Sequence, residues 1–542
     1  MNLPRLDMLG WSLRSDEGSA RLWREQGWWC DETAGDVARN LARDEPERVL
    51  IVDGDVRVTA LQLLCSADAI AQQLLARGIG PGKVVSFMLP NWHEAAAIYL
   101  AATLAGAVAH PIVPQLRDSE VAFMLADSGS RVLFVPAEFR GFDYRAMMVR
   151  VNAGLSRSVE TVVLRGDPGE HAPFSALLEP VAQTAPLPRV DPDSIKMLMY
   201  TSGTTGRPKG VLHSHNSLHA LIRQIERNWH VSPGDRFIVP SPISHIGGSI
   251  YAFEMPLLCD TSAVLQEHWE APAAVALIDT EHCTHMAGAT PFLDGLLGAA
   301  QESGTRLPSL KVFICGGASV PPALVRRAQA SFAKAAVSRV YGSTEVPVLT
   351  VGALEPGEEN KAAETDGRIG IAEVRLVDGE VTARGAQMLR GYLHAEDETQ
   401  AFTPDGFFRM ADLAREEPGG YLVVTGRAKD IIIRNGENIA PKEIEDILLD
   451  HPAIADIAIV GLPDARTGER ACAVIVPSKG AAPDCAALAN FLGERGIAKF
   501  KWPEQVELRS ELPRNAAGKV LKNVLQEQFE QSAKKWEPVF RK

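Results

Sequence analysis

The sequence predicts an α/β protein, and three observations carry that prediction. Short apolar runs of strand type alternate with helical stretches from Val49 to Val340. Beyond Arg368 the texture becomes β-rich, and from about Ala428 it changes again to a short α+β module. A chain of 542 residues also exceeds one hydrophobic core. At about 100–200 residues per domain, two to four modules are expected. Strands that alternate with helices imply a mostly parallel sheet with both faces covered.

Taken in order, residues 1–45 are rich in Trp and charge and are expected to form a peripheral cap of helices. Val49–Val52 and Val56–Val58 flank Asp53-Gly54-Asp55, whose Asp-Gly pair signals a hairpin turn. Helical spacing then covers Ala60 to Arg77, and Val84–Leu89 reads as a buried strand. Pro90-Asn91-Trp92 opens an apolar helix, followed by strands at Val108–Val113 and Val132–Val135. Residues 136–190 show no regular pattern. Further on, Asn216 is a plausible N-cap for a helix over Leu218–Asn228. Strand signals recur at Phe237, Ala263, His285, Val312 and Arg339, then at Val374–Val377 and Gly379–Gly385. Ile457–Val460 and Cys472–Val476 are strands of the last module, and no repeat of 20–50 residues is visible.

Composition excludes several classes. Lys plus Arg number 55 against 68 Asp plus Glu, so the net charge of −13 argues against a nucleic-acid surface. The apolar run Ala95–Ala109 is too short to span a bilayer and reads as a buried helix, so no membrane span is expected. The N-terminus has no apolar signal core, and the seven cysteines are dispersed without a Cys-x-x-Cys pair. A reducing cytoplasm, with no disulfide framework, is the expectation.

The most informative stretch is Met199-Tyr200-Thr201-Ser202-Gly203-Thr204-Thr205-Gly206-Arg207-Pro208-Lys209-Gly210. Gly203 and Gly206 are free to adopt positive φ and open backbone N–H groups toward an anion. Thr201, Ser202, Thr204 and Thr205 add hydroxyl donors, and Lys209 adds a point charge. The order of residues, with strand on either side, favours a phosphate cradle over a plain surface turn. It is not the P-loop pattern, because Pro208 splits the basic pair and no helix-starting Gly-Lys-Ser/Thr follows.

This stretch resembles the nucleotide-binding signature of the adenylate-forming superfamily, which includes acyl- and aryl-CoA ligases. Further motifs follow in that superfamily's order from Val84 to Lys519. The resemblance implies a large N-terminal region of two α/β sheets plus a β-barrel-like part, about residues 1–428, and a small mobile C-terminal α+β domain, 429–542. It implies that Gly316-Gly317-Ala318 backs an adenine ring. In Tyr341-Gly342-Ser343-Thr344-Glu345 it implies that Tyr341 stacks on adenine, Thr344 meets the α-phosphate and Glu345 coordinates Mg²⁺. A lone Glu suffices for that ion when phosphate oxygens and water complete the shell. Asp412 and Arg427 match the ribose contacts, although Met410-Ala411 replaces the usual Thr-Gly before Asp412. Lys429 falls at the hinge. Gly436, Glu437 and Asn438 match the loop lining the pantetheine tunnel. Lys519 matches the lysine that the C-terminal module inserts into the active site.

His245, in Pro-x-x-His-x-x-Gly, resembles the acyl-side segment, with Gly247, Gly288, Ala289 and Thr290 as a small-residue pocket floor. Glu254 follows Phe253 where amino-acid-activating members carry Asp, but Pro256-Leu257 fits the CoA-ligase pattern better. Arg434, Lys499 and Lys501 are candidates for CoA phosphates. Two histidine groups, His213/His215/His219 and His282/Cys283/His285, lack a partner pair at zinc-site spacing and are not read as metal sites. Catalysis is thus expected of Lys519, Glu345, Thr344 and His245, with ATP, Mg²⁺ and coenzyme A as the cofactors. The implied reaction activates a medium-chain, alicyclic or aromatic monocarboxylate as acyl-AMP and passes it to CoA. Cyclohexanecarboxylate–CoA ligase is the kind of bacterial enzyme it resembles. Transfer to a phosphopantetheinyl carrier protein is the alternative, and a homodimer is left open.

Overall fold

The computed structural model describes residues 5–534 apart from 9, 15, 202–206, 318–319, 428–429, 435–436, 465–466, 479–481, 496 and 516–517. Two large sheets dominate. The first has eight strands in the order Ala172–Pro173, Glu160–Leu164, Val132–Pro136, Val84–Phe87, Val108–Pro111, Ile195–Thr201, Lys209–Ser214, Gly391–Tyr392. It is parallel up to Ile195–Thr201, after which a hairpin turns the chain back and the last two pairings are antiparallel. The second has seven strands in the order Ala336–Arg339, Val312–Cys315, His285–Gly288, Arg236–Val239, Ser262–Leu265, Val49–Asp53, Val56–Thr59. Only its edge hairpin, the one signalled by Asp53-Gly54, is antiparallel.

The strands are near-continuous apolar runs because helices cover both faces, as in parallel sheets generally. Helix His93–Leu104 is buried at every position from Ala95 to Leu104. A helix that is apolar all round belongs inside a protein. It packs in one cluster with Val85 and Phe87 of the first sheet and Ile51, Phe237 and Val239 of the second. Inside the same region Glu254 is buried, with Lys196 Nζ 2.6 Å and Tyr99 Oη 2.6 Å from its carboxylate.

The part expected to be barrel-like is a four-stranded antiparallel sheet, Glu373–Val377, Glu380–Arg384, Phe408–Glu417, Tyr421–Arg427. The C-terminal module is a five-stranded sheet flanked by helices Pro441–Leu448, Cys485–Glu494 and Lys522–Lys534, with its own apolar cores. All seven cysteines are free. Among the described residues no helix is long and apolar enough to cross a membrane.

Three local expectations need correction. Residues 5–44 are not helices alone: a hairpin of Arg5–Met8 and Trp11–Arg14 precedes helices Glu17–Glu25 and Ala34–Asp44. The hairpin forms because its edge docks on the first sheet, where Arg14 N donates to Arg390 O at 2.8 Å. The helix after the phosphate stretch runs His215–Asn228 and is capped by Ser214, not Asn216. The Asn216 side chain instead accepts from Cys30 N and donates to Asp193, tying the N-terminal segment down. Residues 136–190 do contain order, helix Tyr144–Gly154 and strand Glu160–Leu164 among it.

Candidate active site

Two of the proposed site segments, Gly316–Gly317 and Tyr341–Glu345, follow the C-terminal ends of parallel strands, where open α/β sheets place their ligands. Thr201 and Lys209 are directly paired across an antiparallel rung. Ser202, Gly203, Thr204 and Thr205 lie outside the described residues, as do Ala318, Lys429 and Gly436. On either side of them, Tyr200 Oη donates to Asp127 Oδ2 at 2.7 Å, and Arg207 Nη2 lies 2.9 Å from Asp397 Oδ2. Lys209 Nζ is 3.8 Å from Asp397 Oδ1 and 5.3 Å from the ring centroid of Tyr392.

Gly316 and Gly317 follow strand Val312–Cys315, and Tyr341 to Glu345 follow strand Ala336–Arg339. Gly342 has no room for a side chain, since a Cβ there would lie 2.7 Å from Val348 N and 2.8 Å from Val346 O. Ser343 closes this tight turn by exchanging hydrogen bonds with Val346. His213 Nε2 donates to Thr344 O at 2.7 Å, and Leu389 N donates to Glu345 O at 2.8 Å. Tyr392 Oη donates to Glu345 Oε1 at 3.0 Å.

Asp412 and Arg427 sit opposite each other on neighbouring strands, and Arg427 Nε is 3.2 Å from Asp412 Oδ1. Tyr341 Oη donates to Asp412 Oδ2 at 2.6 Å, so the aromatic and the carboxylate act as one unit. Burial and the Asp412 carboxylate push the Tyr341 phenol far above its ordinary range, so it remains a donor. Ala411 takes φ +56°, a left-handed conformation, immediately before Asp412. The register then slips between Leu413 and Ala414, a bulge that re-aims this stretch of strand.

Lys519 lies in the turn closed by the Arg514–Val520 bridge, with its backbone N donating to Asn515 Oδ1 at 2.9 Å. The turn reaches the N-terminal region: a Cβ on Gly518 would be 4.0 Å from Pro291 Cγ, in the expected acyl-pocket segment. Burial and the Arg427 guanidinium bring the Lys519 ammonium down to about 8, with Asp412 and Asp430 opposing the shift. The C-terminal module thus places Lys519 within electrostatic range of Arg427 and Asp412.

On the acyl side, His245 precedes helix Ile246–Ser249. Its Nε2 is buried without a hydrogen-bond partner, and burial lowers its pKa. Next comes a π-helical turn, Ile250–Glu254, of the kind that often marks functional segments. A Cβ on Gly247 would meet open space, whereas one on Gly288 would lie 2.3 Å from Phe292 Cδ2. The Glu254 carboxylate is engaged by Lys196 and Tyr99, away from any counter-charge role toward an amino acid. Arg434 and Lys501 are likewise engaged, with Glu504 and Glu443, each at 2.7 Å.

Sequence reasoning missed the residues that hold these groups. Asn91 Nδ2 lies within 3.1 Å of Val239 O, Ser241 O and Gln266 O, and its Oδ1 accepts from Ile243 N. One side chain therefore ties the first sheet to the loop that leads into His245. The histidine groups hold no metal cluster among the described residues. His219 and His285 bond the backbone oxygens of Trp28 and Trp229. Burial brings His213 down to about 4, so its ring is neutral and donates from Nε2 to Thr344 O. A cluster of Asp53, His93 and Glu94 is closed by Arg165, whose Nη2 is 2.7 Å from both carboxylates.

Tyr341, Asp412 and Arg427 thus form one linked group, and Tyr392 joins Lys209 to Glu345. Residues 38–393 match the AMP-binding enzyme family and residues 443–519 the AMP-binding enzyme C-terminal domain. The chain belongs to this family and is an ATP-dependent acyl- or aryl-adenylating enzyme of the adenylate-forming superfamily. It is 32% identical over 536 residues to the medium-chain fatty-acid–CoA ligase of Escherichia coli (strain K12), covering 95% of this chain and 93% of that one. It is 31% identical over 527 residues to the 2,3-dihydroxybenzoate-AMP ligase of Bacillus subtilis (strain 168), covering 94% and 96%. ATP-bound MatB from Rhodopseudomonas palustris superposes with a TM-score of 0.81 at 27% identity, covering 92% of this chain and all of that one.

Proposed function

We propose that the protein is an acid–thiol ligase that activates a medium-chain, alicyclic or aromatic monocarboxylate as its acyl-adenylate and transfers it to coenzyme A. In this reading the chain divides at residues 428 and 429 into an adenylation domain and a mobile domain, turning about Lys429, and works in the cytoplasm. The observation that carries it is the docking of the Gly518–Lys519 turn beside Pro291, within electrostatic reach of Arg427 and Asp412. That is the arrangement adenylation needs. A carboxylate attacking an α-phosphate is anion meeting anion, and a preorganised cation between them offsets the charge that develops.

In this reading each residue keeps the role that the resemblance implies. Asp412, with Tyr341 and Arg427 on its two oxygens, accepts the ribose hydroxyls. Thr201, Lys209 and the hydroxyl loop hold the β- and γ-phosphates, and Gly316 and Gly317 back the adenine. Thr344 contacts the α-phosphate, and His245 borders the acyl carboxylate. Glu345 fits Mg²⁺, since one carboxylate beside a phosphate loop is the donor set that ion accepts. The ion would neutralise phosphate charge, while Glu345 and the loop fix its place. Lys519 bridges the two anions. The C-terminal domain then rotates, withdraws Lys519 and brings the loop at Gly436, Glu437 and Asn438 toward the adenylate, and the thiolate displaces AMP. Hinged closure that alternates two poses is a common way to separate half-reactions.

Two observations support the substrate class. Gly247 borders open space, and the buried Glu254 is unavailable to an amino-acid ammonium. The relatives named for medium-chain and aromatic acids support the same range. The second reading, loading of a phosphopantetheinyl carrier protein, keeps the first half-reaction and changes the acceptor. Engagement of Arg434 and Lys501 by carboxylates favours it to this extent: neither is free for a CoA phosphate in the present pose.

The test is AMP release from Mg-ATP with a panel of carboxylic acids, with and without CoA. Release that requires one acid class and CoA supports the ligase. Adenylate that accumulates regardless of CoA moves the acceptor to a carrier protein. A panel in which only long-chain or amino acids react sinks the substrate class.

A further inference from the structure

The carboxylate proposed for Mg²⁺ is held in an unusual way. The backbone around it is pinned twice, by His213 Nε2 on Thr344 O at 2.7 Å and by Leu389 N on Glu345 O at 2.8 Å. What remains free is the rotation of the Glu345 side chain. Among the described residues the one hydrogen bond made to that carboxylate comes from Tyr392 Oη, on Oε1 at 3.0 Å.

Tyr392 is itself fixed. It lies in the two-residue strand Gly391–Tyr392, directly opposite Val211 on the strand that leaves the phosphate loop. The residue is 4% exposed and packs in the core that contains Val346 and Leu349. Lys209 Nζ sits 5.3 Å from the centre of the same ring. One phenol therefore touches the cation of the phosphate loop with its ring and the carboxylate of the neighbouring loop with its hydroxyl.

We infer that Tyr392 is the positioning residue for metal binding at Glu345, holding Oε1 so that the other carboxylate oxygen is presented to a divalent cation on the ATP phosphates. Hydrogen-bonded partners of metal-binding carboxylates set ligand orientation, and losing one typically lowers metal affinity or activity by about 10–100-fold. The inference rests on the reading of Glu345 as the metal carboxylate and adds to it the residue that sets its rotamer. It also explains why the hairpin strand Lys209–Ser214 carries a further short strand on its edge: the added strand couples the phosphate loop to the metal carboxylate.

The test is calorimetric titration of the full-length protein with ATP, once in EDTA and once with Mg²⁺, so that the ratio of the two affinities measures the metal-linked gain. Tyr392→Phe keeps the ring for Lys209 and for the core and removes only the hydroxyl. Its melting temperature and its ATP affinity in EDTA are expected to match the parent, while the metal-linked gain falls by ~10-fold or more. Glu345→Gln is the control. If Glu345→Gln abolishes the gain and Tyr392→Phe keeps it, the positioning role is overturned and the Glu345 reading stands. If neither variant changes the gain, Glu345 is not the metal carboxylate and the inference falls with that reading. An equal loss of affinity in EDTA and in Mg²⁺ for Tyr392→Phe overturns it as well, because the hydroxyl then supports the whole nucleotide site.

Discussion

Ala411 is the residue at which local physics and the site are most visibly in tension. It holds φ +56° without being glycine, one position before Asp412, the carboxylate proposed for ribose. A side chain in this region costs roughly 1–2 kcal/mol, less the roughly 0.4–1 kcal/mol that Gly loses through its freer unfolded chain. Ala411→Gly is therefore expected to raise the stability of the N-terminal region by roughly 0.5–1 kcal/mol, read by urea unfolding, with ATP affinity unchanged. A destabilised variant would mean that the Ala411 methyl packs productively. Asp412 itself holds two charged or strongly polarised contacts, Tyr341 Oη at 2.6 Å and Arg427 Nε at 3.2 Å. Hydrogen bonds to charged groups are worth about 1.5–3 kcal/mol, or about 10–100-fold in affinity. Asp412→Asn should weaken ATP binding by that factor while leaving the KM for the acid nearly unchanged. An affinity for ATP that does not move would remove Asp412 from the nucleotide site.

At the scale of elements, the site is assembled by short segments that reach across from distant parts of the chain. Asn91, in the loop after Val84–Phe87, bonds the ends of two strands of the other sheet and the backbone of Ile243. Its loss would leave several buried backbone groups unpaired, at about 1–3 kcal/mol for each group that finds no water. Asn91→Ala is expected to lower the melting temperature and to raise the KM for the acid, because Ile243 leads directly into His245. Unchanged KM with lowered stability would confine Asn91 to a structural role. This scale also shows what was legible in the sequence. The Thr201–Lys209 stretch and Tyr341–Glu345 are runs of neighbouring residues, so their order alone singles them out as site candidates. Strand Val84–Phe87 and helix His93–Leu104 were legible because burial leaves a mostly apolar run. Tyr392, Asp127, Asp397 and Asn91 were not, because each acts through a partner 47 to 190 positions away. A strand of two residues has no periodicity to read. His213 was not read as a metal ligand, but its partner, Thr344 O, lies 131 positions on and was equally invisible. The N-terminal hairpin was missed for the same reason: its strands form against Arg390, not through any propensity of their own.

At the scale of the molecule, the C-terminal module sets the protonation of the group it delivers. Docking buries Lys519 beside Arg427, which lowers its pKa from 10.5 to about 8. The ammonium, the form that bridges two anions, is therefore retained below that value and lost as pH rises through it. The kcat/KM of the adenylation half-reaction reports the free enzyme and should fall above pH about 8. Lys519→Arg, whose guanidinium stays charged, should lose that alkaline limb even if its rate is lower. A parent profile that is flat to pH 10 would show that Lys519 is not the titrating group.

The most direct test separates the two half-reactions in Lys519→Ala, using the acid identified by AMP release. Acid-dependent exchange of pyrophosphate into ATP measures adenylation, and consumption of preformed acyl-adenylate with CoA measures transfer. Loss of one preorganised charge at a transition state costs about 10²–10³ in rate. The expected result is a loss of at least that size in exchange, with transfer from the adenylate retained. Exchange at the parent rate would contradict the central claim that the C-terminal module activates the carboxylate by inserting Lys519.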